Sequence, residues 1–183
     1  MTDEAFLAFC KEHPDLNFEM TAEGEWIVLA PTHGDTGVSN FEIAGQLRNW
    51  SKKDGRGYSC DSSTGFVLPN GARRSPDASW TLKSRVRQLG QRRRKSFWHL
   101  CPDFVIEVKS DSDRLRTLRN KMLEYLEQGA QLGWLIDADN KMVEVYRPNE
   151  QPEKRIGLDA IEGEGALAGF VLDLTDVWDP LAD

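Results

Sequence analysis

The residues of this 183-residue chain that could do chemistry fall in one stretch, from Arg73 to Lys109. Arg73-Arg74-Ser75-Pro76-Asp77 offers a carboxylate in a strand-forming context, and Glu107-Val108-Lys109 offers a second carboxylate with an ammonium two residues on. Side chains two apart on a strand share a face, so Glu107 and Lys109 are expected to point together while Phe104, Ile106 and Val108 point into the opposite layer. Mg²⁺ (or Mn²⁺) prefers hard oxygen ligands and keeps several waters, so Asp77, Glu107 and a backbone carbonyl suffice to hold it. Such an ion polarises a phosphoryl oxygen and acidifies a bound water, and a nearby lysine orients that water or accepts its proton. The chemistry indicated is metal-dependent hydrolysis of a phosphodiester.

Two further side chains qualify as participants. Leu115, Leu118, Met122, Tyr125 and Leu126 form an apolar helical stripe, and Lys121 lies about 100° from Met122, at its polar edge beside Arg114. A long side chain there can reach over the strand beneath, or simply lay its stem along the apolar edge. Glu42 lies off the centre of an earlier stripe made by Phe41, Ile43, Ala44, Leu47 and Trp50. It could lend a carboxylate to the metal's water shell, although spacing alone makes it a surface residue. Pro102-Asp103 reads as the turn into the next strand. His13, His33 and His99 show no His-x-x-x-His pairing, Ser62 and Ser63 lack a Gly-x-Ser-x-Gly elbow, and no Gly-rich phosphate loop is present.

Charge is unevenly placed. The net charge is -7, yet residues 73 to 121 carry 14 Lys and Arg against 5 Asp and Glu. Within that segment Arg73, Arg74, Lys83, Arg85, Arg92, Arg93, Arg94 and Lys95 are candidate phosphate contacts, and a nucleic acid, DNA in the first instance, is the expected partner. The alternative is an ordinary solvated charged face. Cys10, Cys60 and Cys101 are scattered and odd in number, which gives neither a disulfide framework nor a zinc site. The acidic start is unlike a signal peptide, and no apolar run reaches the roughly 18 residues of a membrane span. A cytoplasmic protein of one domain over residues 1–183 is expected.

Around these residues the pattern predicts a short helix over 3–12, a hairpin of 16–20 with 25–30 about Glu23-Gly24, a loop over 31–37 and a helix from Asn40 to a stop at 51–55. Strands follow at 58–60 and 65–68, with 74–80 returning as hairpin partner after Pro69-Asn70-Gly71, so that Asp77 sits on a hairpin. Residues 81–89 are helix or loop. A strand over 103–109 leads through Ser110 to Asp113 into the helix carrying Lys121, which Gly129 stops. Strands at 132–136, 142–146, 155–158 and 167–174 and a turn of helix over 175–178 complete an α/β chain, its sheet flanked by helices.

At these residues the chain resembles the Uma-type endonuclease family of the PD-(D/E)xK restriction-endonuclease-like superfamily. The matching stretches are Asn40 to Leu47, Ser62 to Ala72, Arg74 to Trp80, Cys101 to Val108, and Lys121 through Gly129 to Trp134-Leu-Ile-Asp137. The resemblance implies a restriction-endonuclease-like fold with a mixed central sheet, a Mg²⁺-type site at Asp77 and Glu107, and Glu42 joining it from the preceding helix. Members often take their lysine from the helix after Glu-x-Lys, here Lys121, so Lys109 and Lys121 compete for one role. The leading expectation is an endodeoxyribonuclease, with a homodimer favoured if both strands are cut. The alternative is a non-catalytic nucleic-acid-binding or assembly protein that keeps the fold.

Overall fold

The computed structural model describes residues 2–90 and 96–182. The Thr2 hydroxyl accepts the Ala5 N–H and starts α1 (Asp3–Glu12). A hairpin follows, β1 (Asn17–Met20) against β2 (Trp26–Leu29), with Gly24 at φ +90° in its turn. Helix α2 runs over Gly34–Asp54 and stops at left-handed Gly55, whose N–H reaches the Ser51 carbonyl. It begins six residues before Asn40, within the expected loop. Residues 34–39 carry little apolar periodicity and are held instead by the Gly37 N–H on the His33 carbonyl and the Ser39 hydroxyl on the Val177 carbonyl.

Strands β3 (Gly57–Asp61), β4 (Phe66–Val67), β5 (Arg73–Arg74), β6 (Ala78–Leu82) and β7 (Phe104–Val108) divide between two sheets, and the short helix α3 (Lys83–Gln88) follows β6. The expected strand over 74–80 is in fact two. Arg73 and Arg74 pair with β4 and β1 in a four-stranded sheet ordered β2-β1-β5-β4, whereas Ala78 onward pairs with β3 and β7. Pro76, without an N–H to donate, separates them, so Asp77 lies at the crossing between sheets rather than on a hairpin.

After β7 the chain forms α4 (Leu115–Glu127), β8 (Leu132–Asp137) and β9 (Met142–Tyr146). Strand β10 (Glu153–Ile156) completes a six-stranded sheet ordered β10-β9-β8-β7-β6-β3, in which only β7 and β8 are parallel, joined through α4. The tail pairs β11 (Ala160–Glu162) with β12 (Val171–Asp173) and ends in α5 (Thr175–Trp178). The strand expected over 167–174 is shortened by a 3₁₀ turn at Gly165–Leu167 and by Gly169 at φ +89°.

The six-stranded sheet is buried on both faces. Phe104, Ile106, Val108, Trp134 and Val145 pack on one side against Ile43 and Leu47 of α2 and Val177 of α5. Val105, Leu135 and Tyr146 pack on the other against Leu118, Met122 and Tyr125 of α4. This is a mixed α/β architecture with helices on both faces of a mixed sheet. No helix among the described residues is long and apolar enough to cross a membrane.

Candidate active site

Sheet register brings the two carboxylates together. Ala78 pairs with Ile106 across the antiparallel β6–β7 ladder, so the next position outward sets Asp77 opposite Glu107. Asp77 Oδ2 accepts the Val108 N–H at 2.8 Å, which fixes the carboxylate at the end of β7. Glu107 shares the face of Val105, beneath α4, and is nearly inaccessible at 4 % exposure.

The helix above supplies the partners. Lys121 and Tyr125, one turn apart on α4, both reach Glu107 Oε1: the Lys121 Nζ lies at 2.9 Å and the Tyr125 hydroxyl donates at 2.9 Å. Lys121 Nζ also stands 2.9 Å from Oε1 of Glu19, a buried residue of β1. Glu19 in turn accepts the Ser75 N–H at 2.8 Å and pairs with Arg74 at 3.2 Å, and Arg74 donates to Glu124 at 2.7 Å. Asp77, Glu107, Lys121, Glu19, Arg74 and Glu124 line a cavity of about 490 Å³ bounded by the β1–β2 hairpin, the β5–β6 crossing, the end of β7 and α4.

Burial governs the electrostatics. It pushes the Asp77 carboxyl up to about 6, against the opposing pull of the Val108 N–H and the Lys121 ammonium. It pushes the Glu107 carboxyl up from its ordinary range, the Lys121 ammonium opposing and the carboxylates of Asp77 and Glu19 adding to the rise. Burial alone would depress Lys121, but Glu107 and Glu19 outweigh it and hold the amine well above its ordinary value. Lys121 is held between the two carboxylates.

A divalent cation fits this donor set. No hydrogen bond among the described residues engages Asp77 Oδ1 or Glu107 Oε2, so each carboxylate keeps one free oxygen. No cluster of three or more His, Cys, Asp and Glu able to hold a metal occurs among the described residues. Two carboxylates and solvent suit Mg²⁺ or Mn²⁺, and they do not suit a structural zinc.

The other sequence candidates fall elsewhere. Lys109 does not join Glu107: β7 ends at Val108, and the lysine turns to the α2 side, where it pairs with Asp139 at 3.4 Å beside a separate cavity of about 160 Å³. Glu42 accepts from Gln46 at 3.0 Å on α2, and that helix contributes nothing to the large cavity's lining. Arg73 and Arg74, at 6 % and 7 % exposure, lie inside the fold because β5 is sandwiched between β1 and β4. Arg74 nonetheless lines the large cavity, where it is paired with Glu19 and Glu124. Lys83 donates to the Gly55 carbonyl, and Arg85 pairs with Asp103 at 2.7 Å. Arg92, Arg93, Arg94 and Lys95 lie outside the described residues.

Sequence reasoning missed Glu19 and Tyr125. Glu19 reads in isolation as the polar position of a half-buried hairpin, and nothing local announces the sheet that covers it. Tyr125 did carry a signal, since a tyrosine inside an apolar stripe needs a partner for its hydroxyl.

No curated protein matches the chain. Among solved structures it is similar to "a putative nuclease belonging to DUF820 from Anabaena variabilis ATCC 29413", at 24% identity and a TM-score of 0.81 over 100% of this chain and 99% of that one. That likeness shows the fold. The family model described as "Putative restriction endonuclease" matches residues 3–175, so the chain belongs to the Uma2 family.

Proposed function

We propose that the chain is a metal-dependent endonuclease that hydrolyses phosphodiester bonds of DNA. The observation carrying this reading is the convergence of Asp77, Glu107 and Lys121 on one cavity, two carboxylates with free oxygens beside a fixed ammonium. The family's description and the name of the similar structure support the same activity class, and the former favours DNA.

Mg²⁺ or Mn²⁺ held by Asp77 and Glu107 would polarise the scissile phosphoryl group and acidify a water. The Val108 N–H fixes the Asp77 carboxylate, and the Tyr125 hydroxyl engages one oxygen of Glu107 and leaves the other free. Lys121, paired with Glu107 and Glu19, would serve as a donor that orients water and offsets charge on the phosphoryl oxygens. Lys109, paired with Asp139 away from the cavity, has no part in this arrangement.

The test is cleavage of plasmid DNA with Mg²⁺ or Mn²⁺. Asp77→Ala and Glu107→Ala should abolish it, Lys121→Ala should slow it by about 10²–10³-fold, as removal of a positioned donor does, and Lys109→Ala should remain near wild type. Cleavage that persists in both carboxylate variants rejects the site.

A further inference from the structure

Glu19 occupies a position that the two-carboxylate reading leaves without a task. Its side chain is 2 % exposed and carries a charge, which the fold tolerates only with partners. Those partners come from two places in the fold: Lys121 of α4, and the end of β5, where Arg74 and the N–H of the next residue, Ser75, two residues before Asp77, both engage it. Lys121 Nζ thus bridges two carboxylates at equal distances of 2.9 Å, Glu107 on one side and Glu19 on the other.

The bridge has a consequence for cation binding. An ammonium and a divalent cation compete for the negative charge of Glu107, so a lysine with no other anchor would oppose loading of the site. With Glu19 beside it, the lysine keeps a buried carboxylate when Glu107 is taken, and it stays in the cavity. Arg74 holds Glu19 from the far side, and Glu124 and Asn70 in turn fix Arg74 and its neighbourhood: Asn70 Nδ2 donates to Glu124 at 3.0 Å. The anchor is therefore itself immobilised.

We infer that Glu19 is a positioning residue, the second anchor that lets Lys121 yield Glu107 to a divalent cation without leaving the site. The inference rests on the reading of Asp77 and Glu107 as the cation's ligands. It assigns Glu19 an action through Lys121, which separates it from a residue that merely supports the β1–β5 packing.

Mn²⁺ binding by calorimetry on the full chain provides the test, in the wild type, Glu19→Gln, Lys121→Met and the double variant. Glu19→Gln keeps an acceptor for the Ser75 N–H but removes the charge. It should weaken Mn²⁺ roughly 10–100-fold, the range seen when groups that orient metal ligands are replaced. Lys121→Met removes the competitor and should bind Mn²⁺ more tightly than wild type. In the Lys121→Met background, Glu19→Gln should lose most of its effect. An equal loss of affinity in both backgrounds overturns the inference and leaves the proposed function standing. If the wild type binds no Mn²⁺, both fall. Should Glu19→Gln fail to fold, Lys121→Met alone decides, since unchanged or weaker Mn²⁺ binding in that variant removes the competition on which the anchor depends.

Discussion

At the scale of single residues, the candidate site buries carboxyl groups at a cost in stability. Burial raises the Asp77 carboxyl to about 6, so its protonated form is favoured in the folded chain. The sign follows from linkage: a carboxyl whose pKa is raised on folding costs nothing while protonated, and it destabilises the fold progressively as pH climbs from its ordinary range through about 6. Asp77→Asn retains an acceptor for the Val108 N–H and removes the charge. In EDTA at pH 8 it should therefore be more stable than wild type by about 1–3 kcal/mol, a shift of roughly two pKa units being the upper bound, and the gain should fade near pH 4. Urea unfolding at the two pH values measures this. A gain of equal size at both would show that the charge is not its source. For the proposed site, cation binding should strengthen with pH as Asp77 and Glu107 ionise, since a ligand carboxyl must first lose its proton.

At the scale of elements, the site depends on how β6 is held. Strand β6 lies between β7 and the edge strand β3, and its Trp80 ring is completely buried, with Nε1 donating to the Ser51 hydroxyl of α2 at 3.1 Å. Gly57 of β3 makes that possible: a Cβ there would stand 2.0 Å from Trp80 Cε2. The ring is rigid and enclosed, so relief requires displacing the strand. Gly57→Ala should destabilise the protein by about 1–3 kcal/mol, the usual cost of overpacking a filled core, seen as a lower denaturation midpoint. The ordinary spacing of this glycine in a strand gives no hint of that contact. Helix α4 shows the opposite case, because its stripe of Leu118, Met122 and Tyr125 is buried as the 3.6-residue period requires. From that period alone the polar-edge place of Lys121 was legible, whereas its partner was not.

At the scale of the whole molecule, part of the basic segment is taken up in ion pairs. Of its cations, Arg74, Arg85, Lys109 and Lys121 form ion pairs with Glu19 and Glu124, Asp103, Asp139, and Glu19 with Glu107, and Arg119 pairs with the buried Glu144. Fewer charges are left to displace counterions than the 14 Lys and Arg of residues 73 to 121 suggest. Binding of DNA should consequently fall with salt along a log–log slope clearly shallower than the value of about -13 that 14 free cations would give. Fluorescence anisotropy across a salt series would measure it, and a slope near that value would mean that the ion pairs open on binding. The carboxylates in these pairs include Glu19 of β1, Glu124 of α4, Glu144 of β9 and Asp103 of the loop before β7.

The sequence by itself determined the periodic helices and strands, the two carboxylates and the two lysines from which one had to be chosen, because period, turn chemistry and residue type are local properties. Tertiary structure decided which lysine faces Glu107 and recruited Glu19. Lys109 was separated from Glu107 by a strand ending one residue earlier than its pattern, and Lys121 was delivered by a helix packed across that strand. Asp77 is opposite Glu107 because Pro76 ends pairing in one sheet and the β6–β7 register begins in another. Glu19, 88 residues from Glu107 in sequence, meets it only through the shared ammonium of Lys121. Contacts between elements distant in sequence are fixed by how sheets and helices stack, and no local pattern encodes that choice.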